Sequence, residues 1–195
     1  MAHATGSTTP FNPSSDDDVA ALIDMYREYL LEGLDRVGYL APGLPAAAWL
    51  NTFIVRVNGH AAGFCSADTQ RYAIELIYTS PEYRGRGLAS QLLTDLSSTC
   101  PQPMRLKLPL SPGGEALAKR LGIGLSHPDV EEIRRAEHLI DDLHRTINQH
   151  CTHKRIGDPR KPCMRCYRRR AKPVAEAAVM PYVVAARAAG MLRAA

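Results

Sequence analysis

Hydrophobic and polar positions follow helix and strand periods in a definite order along the first two thirds of the chain. After Ser15 and the acidic residues 16–18, apolar residues recur every three or four positions, and this start has the form of a capping box. The pattern predicts an amphipathic first helix of about 16 residues. Its apolar positions are Val19, Leu22, Ile23, Tyr26 and Leu30.

Strand patterns come next. The apolar runs at residues 53–57 and 61–66 flank Asn58 and Gly59, a pair typical of the tight turn of a β-hairpin. An α/β domain over residues 15–125 is predicted from the order of these elements and those that follow. In chain order, the later elements are a strand at 71–79, a helix at 88–96, a strand at 104–110 and a short helix at 115–121.

Residues 126–195 are predicted to form a helical, basic extension. Pro128 and the acids that follow it mark a helix start, and the apolar seam of this helix can pack within the chain or against a second copy, which would make an oligomer. A last apolar helix at residues 174–192 is expected to dock back on the domain. The seam consists of Ile133, Ala136, Ile140, Leu143 and Ile147, and the last helix has Val179, Tyr182, Val183 and Ala186 on one face.

Charge and composition narrow the class of protein. The net charge of +4 is uneven, because residues 1–125 hold 10 basic and 12 acidic side chains, whereas residues 126–195 hold 14 and 8. No apolar run is long enough to span a bilayer and the start lacks the form of a signal peptide, so we expect a cytoplasmic protein that makes no membrane contact. Residues 1–14 are rich in Ser, Thr and Pro and are predicted to be disordered.

A basic glycine turn separates the predicted strand at 71–79 from the helix at 88–96. This order brings backbone N–H groups, two arginines and a helix N-terminus together, and such a point favours phosphate because unpaired amides and the helix dipole attract an anion. A nucleoside triphosphate loop would need Gly-Lys-Ser/Thr, and a dinucleotide loop would need Gly or Ala where this chain has Ser90. The turn itself consists of Arg84, Gly85, Arg86 and Gly87.

The motif Arg84-x-x-Gly87-x-Ala89, preceded by Ser80-Pro81-Glu82-Tyr83, resembles the acyl-CoA pyrophosphate loop of the GNAT (Gcn5-related N-acetyltransferase) superfamily. The resemblance covers residues 15–125 and implies a mixed, mostly antiparallel twisted sheet flanked by helices, with acetyl-CoA as co-substrate. It implies that the loop holds the pyrophosphate and that the strand before it runs alongside the pantetheine arm. The cofactor-binding residues would be Ile77, Tyr78, Thr79, Arg84, Gly85, Arg86, Gly87, Leu88 and Ala89.

The same resemblance suggests catalytic groups. An alkyl amine has a pKa near 10.4 and must lose a proton before it can attack a thioester. Glu75 lies on the strand that the family places beside the thioester, and a partly desolvated carboxylate there would suit a general base. The alternative is a solvent-facing Glu75 that pairs with Arg71 or Arg56 across the sheet.

The general acid is less clear from the sequence. Many members of the family carry a Tyr on the last short helix, and by register this position is Ala118 here. The general acid is then absent, or it is supplied elsewhere, for instance by Tyr78 or Tyr83. Because a thiol leaves reasonably well as thiolate, loss of the acid would slow the reaction without preventing it.

The extension contains a pattern of metal ligands. Cys151 and His153 are followed by the pair Cys163 and Cys166, and four soft or imidazole ligands in two close pairs suit tetrahedral Zn²⁺ in a small, structural loop. His150 and His144 are alternatives to His153. The competing interpretation is a set of unrelated cysteines and histidines in a basic tail.

Residues 154–172 hold nine Lys or Arg and a single acid. Such a patch, with Arg168–Arg170 at its centre and Tyr167 able to stack on a base, would suit nucleic acid. A solvated charged face is the alternative.

These features predict an acetyl-CoA-dependent N-acetyltransferase that acts on a primary amine, with a basic, zinc-stabilised tail that targets it. The alternative is a GNAT-fold protein that binds nucleic acid and in which acetyl transfer is weak or lost. An oligomerisation protein is a third hypothesis. The segment expected to form the acceptor pocket, at about residues 34–49, has no readable chemical signature, so the sequence leaves the small-molecule or protein acceptor open.

Overall fold

A six-stranded mixed sheet forms the centre of the structure, a computed structural model that describes residues 6–37, 43–149, 151–153 and 163–194. The strands lie in chain order: the first four are antiparallel, and the last two run parallel to their neighbours. This confirms the predicted α/β class. The strands are β1 (Ser7–Pro10), β2 (Asn51–Val57), β3 (His60–Asp68), β4 (Ala73–Thr79), β5 (Arg105–Lys107) and β6 (Leu125–Ser126).

Helices cover both faces of the sheet. They are α1 (Asp16–Val37), α2 (Leu88–Ser97), α3 (Pro112–Leu121), α4 (Val130–Asn148) and α5 (Met164–Ala194). On one face, α1 and α5 form a core with Ile54, Phe64 and Tyr78; on the other, α2 and α3 form a core with Val55 and Cys65. Successive strand residues such as Ile54 and Val55 therefore enter opposite cores, as the pleat of a strand requires. In the described chain, no helix is both long and apolar enough to cross a membrane.

The hairpin and the elements after it were predicted well. Asn58 (φ 51°) and Gly59 (φ 80°) both adopt positive φ, the conformation that a tight two-residue turn requires between β2 and β3. Helices α2 and α3 lie where the apolar period placed them. Strand β5 is shorter than the predicted 104–110, and Pro109 has no N–H with which to continue the ladder.

Strand β4 contains a β-bulge. Ser66 pairs with Leu76 and its neighbour Ala67 pairs with Ile74, which leaves Glu75 as the extra residue of β4. An extra residue reverses the alternation of side chains beyond it. Ile74 consequently enters the core beside α2, whereas Leu76 enters the core beside α1.

Beyond the bulge, β4 and β5 separate. The two strands pair at Ala73 with Arg105 and at Ile74 with Leu106, but β4 continues to Thr79. The residues from Glu75 to Thr79 thus present a backbone edge that the described part of β5 does not cover. This opening is the mouth of the candidate site.

The N-terminal segment differs from its prediction. Residues 1–14 were expected to be disordered, yet Ser7–Pro10 forms β1 and pairs with β2. The polar composition is misleading because β1 lies at the edge of the sheet, where one strand face can remain solvated. Helix α1 is also longer than expected, at 22 residues. Ser15 caps it by accepting from the Asp18 N–H, but the Asp18 carboxylate accepts from Asn12 and does not complete the box.

The extension packs on the domain through α5. This helix begins ten positions before the predicted 174 and continues through Pro173 and Pro181. Its buried face includes Val179 and Val183, both with 0% exposure, so the predicted docking of the last helix is confirmed. Tertiary packing of this apolar face outweighs the helix-breaking tendency of the two prolines.

The seam of α4 is used only in part. A capping box between Asp129 and Glu132 starts the helix. Ile147 near its end is fully buried in the core with α1 and α5, whereas Ile133 near its start is 44% exposed. Ala136 and Leu143 have side chains outside the described set. Packing within the chain therefore involves the C-terminal end of α4.

Docking of α5 can be tested with two adjacent valines. Val183→Ala removes methyl groups from a fully buried position and should lower the free energy of unfolding by about 2 kcal/mol. Val184, 60% exposed, is the matched control, and Val184→Ala should change stability by less than about 0.5 kcal/mol. Chemical denaturation measures both, and equal effects of the two substitutions would contradict the docking of this face.

Candidate functional site

A glycine turn connects the end of β4 to α2. After a short 3₁₀ turn at Pro81–Tyr83, Gly85 (φ 74°) and Gly87 (φ 84°) adopt the left-handed conformation, which a side chain would disfavour. Gly87 is the N-cap of α2. The two glycines thus let the chain reverse at the end of the open strand and start the helix at once.

The N-terminus of α2 is a candidate anion site. Its first backbone hydrogen bond runs from the Gln91 N–H to the Gly87 carbonyl, so the N–H groups of Leu88, Ala89 and Ser90 precede the helical ladder. Gly87 has no side chain to cap them. Three such donors at the positive end of the helix dipole favour a phosphate group.

A third arginine, not singled out from the sequence, lies at this site. Arg120 in the last turn of α3 approaches Ser90, with 2.5 Å between its Nη2 and the Ser90 Oγ. Arg86 stays at the loop, where its guanidinium lies 5.3 Å from the centre of the Tyr83 ring. Only the packing of α3 beside α2 reveals Arg120, because 30 residues separate it from Ser90.

The Arg84 side chain contacts both β4 and α1. Its Nε donates to the Thr79 carbonyl (3.0 Å), its Nη2 forms an ion pair with Glu32, and its guanidinium lies 5.7 Å from the centre of the Tyr78 ring. The hydrogen bond with Glu32 raises the pKa of Arg84. Its side chain therefore ties the loop, which carries the candidate anion site, to α1.

Glu75 belongs to a network of ion pairs across the mouth. Its carboxylate is 2.8 Å from Lys107 Nζ, Lys107 is 3.2 Å from Glu132, and Glu132 is 3.0 Å from Arg71. The alternative partners considered from the sequence were wrong, because Arg71 pairs with Glu132 and Arg56 with Asp18.

Lys107 is the centre of this network. Burial opposes its charge, but hydrogen bonds to Glu75 and Glu132 outweigh this effect and raise the pKa of Lys107. Glu75 and Lys107 are each 19% exposed at the side chain, so the pair is shielded from bulk water without being sealed off.

Two carboxylates and a phenol of α1, together with Tyr78 of β4, form a wall beside the end of the open strand. Glu28 accepts hydrogen bonds from Ser80 Oγ (2.8 Å) and from the Tyr78 hydroxyl (3.5 Å). Tyr29 lies edge-on to Tyr78, with 5.9 Å between ring centres. Glu28 and Glu32 are four positions apart on α1, a spacing that would have placed them on one face of the helix.

Both phenols of this wall stay protonated at neutral pH. Burial, assisted by the negative charges of Glu28 and Glu32, raises the pKa of Tyr78, and burial raises the pKa of Tyr29 to about 12. Ala118, by contrast, is buried in the core beside α2 and offers no proton. Tyr83 lies under Arg86 at the loop.

The predicted metal ligands come together at the junction of α4 and α5. The ligand atoms of Cys151, His153, Cys163 and Cys166 all lie within 4.8 Å of one another. His153 Nδ1 is 3.7, 3.6 and 3.3 Å from the sulfurs of Cys151, Cys163 and Cys166, respectively. His144, one of the alternatives, is buried in α4 and is not part of this group. His150, the other, lies outside the described residues.

The environment of the cluster affects its thiols unequally. A hydrogen bond from the His153 backbone lowers the pKa of Cys151 to about 6, and burial raises the pKa of Cys166 to about 11.

Residues 19–122 match the sequence model of the Acetyltransferase (GNAT) family, and the chain belongs to this family. The resemblance inferred from the loop and the prediction of a GNAT-family acyltransferase are thereby confirmed.

Several solved structures are similar to this chain. The aminoglycoside N-acetyltransferase AAC(6')-Iy, in complex with a bisubstrate analogue, is 18% identical over 65% of this chain and 95% of its own, with a TM-score of 0.44. A ribosomal-protein-alanine N-acetyltransferase from Brucella melitensis biovar Abortus 2308 is 15% identical over 64% and 94%, with a TM-score of 0.45. An integron cassette protein from V. cholerae is 12% identical over 79% and 94%, with a TM-score of 0.44. No curated protein sequence matches the chain.

Arg120 offers a test of the anion site. Arg120→Gln should weaken the binding of CoA roughly tenfold, because a charge-assisted contact to phosphate is lost. Binding of pantetheine, which has no pyrophosphate, should not change. Lys119→Gln, which removes an adjacent exposed charge, is the control. Isothermal titration calorimetry measures these affinities, and equal losses for CoA and pantetheine would show that Arg120 acts through the fold.

Proposed function

We propose that the protein transfers the acetyl group of acetyl-CoA to a primary amine. The observation that carries this proposal is the position of the open edge of β4 between a carboxylate and an anion site. At about 3.3 Å per residue, the strand from Glu75 to Thr79 extends roughly 13 Å. An extended arm with amide groups can bond to such an edge as an added strand does.

In this arrangement the N-terminus of α2 and the loop from Arg84 to Ala89 bind the pyrophosphate. The backbone of Ile77, Tyr78 and Thr79 bonds to the pantetheine arm. The thioester then lies near the bulge, where a backbone N–H polarises its carbonyl and stabilises the oxyanion that develops. The donor is thus oriented mainly by backbone groups, which are fixed by the sheet and the glycine turn.

Glu75 is the proposed general base. The acceptor ammonium gives up a proton to this carboxylate, directly or through water, and the free amine attacks the thioester carbon. Glu75 loses its ion pair when it is protonated, but Lys107 keeps a partner because Glu132 lies 3.2 Å from it. The Lys107 charge opposes protonation of Glu75, and Glu132 offsets part of this electrostatic cost.

The thiolate leaves as the tetrahedral intermediate collapses to the amide. Tyr78 is the proposed proton donor, since it lies on β4 and remains protonated. Its raised pKa makes it a weak acid, and its hydroxyl already donates to Glu28. We therefore expect only a modest contribution from Tyr78 to the rate.

The wall formed by Glu28 and Glu32 favours a cationic acceptor. Both carboxylates lie beside the end of the open strand, bonded to Ser80 and Arg84. An amine that is protonated when it arrives would be attracted to this acidic surface.

The enzyme proposal is tested by CoA release from acetyl-CoA with a panel of primary amines. Glu75→Gln should lower kcat by at least about 100-fold, because a general base contributes this much or more, while CoA affinity stays near the wild-type value. Glu137→Gln, at an exposed position of α4, is the matched control. Full activity of Glu75→Gln would exclude it as the base. Absence of both turnover and acetyl-CoA binding would refute the proposed function.

Binding to nucleic acid is a second proposed function. The described part of α5 has four exposed basic side chains, at positions 165, 168, 169 and 172. This i, i+3, i+4, i+7 spacing makes a basic stripe along one face of the helix. Arg168 already pairs with Asp35, so the other three are the ones tested below. The stacking role considered for Tyr167 was wrong, because this residue is fully buried and its hydroxyl donates to the Leu30 carbonyl. The stripe would thus contact phosphates through its charges alone, without base stacking by Tyr167.

Salt dependence measures this contact. If the stripe binds duplex phosphates, replacing Arg165, Arg169 and Lys172 by Ala should reduce the slope of log affinity against log salt by about 2.7, or about 0.9 for each lost contact. Arg134→Ala, on α4 and paired with Glu131, should leave the slope unchanged. An unaltered slope in the triple variant would assign the stripe to an ordinary solvated face.

A further inference from the structure

We infer that Cys151, His153, Cys163 and Cys166 form a closed Zn²⁺ site that fastens the end of α4 to the start of α5. The ligand chemistry supports this assignment first. Three thiols and an imidazole are a typical donor set for tetrahedral zinc, and hard cations such as Mg²⁺ or Ca²⁺ prefer oxygen ligands, which this group lacks.

The three sulfur-to-nitrogen distances match the corresponding edges of a tetrahedral zinc site. With Zn–S near 2.3 Å and Zn–N near 2.0 Å, the sulfur-to-nitrogen edge of a tetrahedral site is about 3.5 Å. The three distances from His153 Nδ1 to the cysteine sulfurs are 3.3, 3.6 and 3.7 Å. One imidazole nitrogen thus lies at the edge length of such a site from all three thiols at once.

Backbone and amide contacts hold the ligands in place independently of any metal. The Cys151 N–H donates to the Asn148 carbonyl (3.0 Å), and the Cys163 N–H donates to the Asn148 side-chain oxygen (3.1 Å). Asn148, the last residue of α4, therefore bonds to both halves of the cluster. Such outer contacts orient metal ligands and reduce the ordering required when a cation binds.

Four protein ligands leave no position for a substrate, so the role of the metal is structural. Its location shows what it stabilises. Cys166 is followed by Tyr167, which is fully buried against α1, and by Arg168, whose Nη2 is 2.5 Å from Asp35 of α1. The metal would fix the first turn of α5 directly beside these contacts. This inference does not depend on the acyltransferase reaction.

A redox pair is the competing interpretation, since Cys163 and Cys166 have Cys-x-x-Cys spacing. A disulfide between them would consume two of the four ligands and would lower the mass of the protein by two hydrogen atoms. It would also leave Cys151 and His153 without a shared function. The convergence of all four side chains favours the metal.

Metal content and thiol reactivity test the site in the full-length protein. Protein purified without added metal should contain about one equivalent of Zn²⁺ by plasma mass spectrometry. Cys65 is fully buried and Cys100 is partly exposed. In the native protein only the Cys100 thiol should therefore react readily with a thiol reagent. After chelation of the metal, the three cysteines of the cluster should react as well. Co²⁺ bound in place of Zn²⁺ should give the absorption of a tetrahedral thiolate site.

Cys163→Ser should lose the metal, and Cys100→Ser, outside the cluster, should retain it. Chelation should lower the Tm of the wild type by at least about 5 °C and leave that of Cys163→Ser unchanged. If Cys163→Ser does not fold, the thiol count and the Co²⁺ spectrum of the wild type decide. Less than about a tenth of an equivalent of zinc with no uptake of added Zn²⁺ or Co²⁺, or a mass lower by two hydrogens with a Cys163–Cys166 disulfide, would overturn the inference.

Discussion

The bulge at Glu75 is the constraint on which both cores and the candidate site depend. Without the extra residue, Ile74 and Leu76 would lie on the same face of β4, and one of the two cores would lose its side chain. The bulge also lies where β4 leaves β5, because the last pair between these strands is Ile74 with Leu106. The bulge therefore directs Ile74 and Leu76 into different cores. It also lies where β4 and β5 separate, and it places the Glu75 carboxylate at that opening.

The charges around this opening connect distant parts of the chain. Lys107 of β5 links Glu75 to Glu132, and Glu132 also completes the capping box of α4 with Asp129. The start of α4 is thus held by the network that surrounds the proposed base. At the other end of α4, Ile147 enters the core formed by α1 and α5. The extension is consequently part of the same framework as the family domain, although its composition suggests a separate segment.

Local signals in the sequence predicted the elements whose geometry is local. Asn58-Gly59 specified the hairpin, and the two glycines after Arg84 specified the anion loop, because positive φ is a property of single residues. The bulge could not be predicted in this way, since it depends on the register between two strands. The partner of Glu75 is 32 residues away, and Arg120 reaches Ser90 only through the packing of α3. The burial of Tyr167 likewise depends on α1. Its contact there is with Leu30, which lies 137 residues earlier in the chain.

Helix α1 joins the two proposed centres physically. The Tyr167 hydroxyl donates to the carbonyl of Leu30, and Arg168 pairs with Asp35. The start of α5 is therefore bonded to the second half of α1. The same stretch of α1 carries Glu28 and Glu32, which contact Ser80 and Arg84 at the end of β4. A single helix therefore contacts the cluster side of α5 and the anion loop. The contacts of α5 and those of the loop at the end of β4 therefore share one helical support, and Arg84 and Ser80 would pass any displacement of α1 on to the loop.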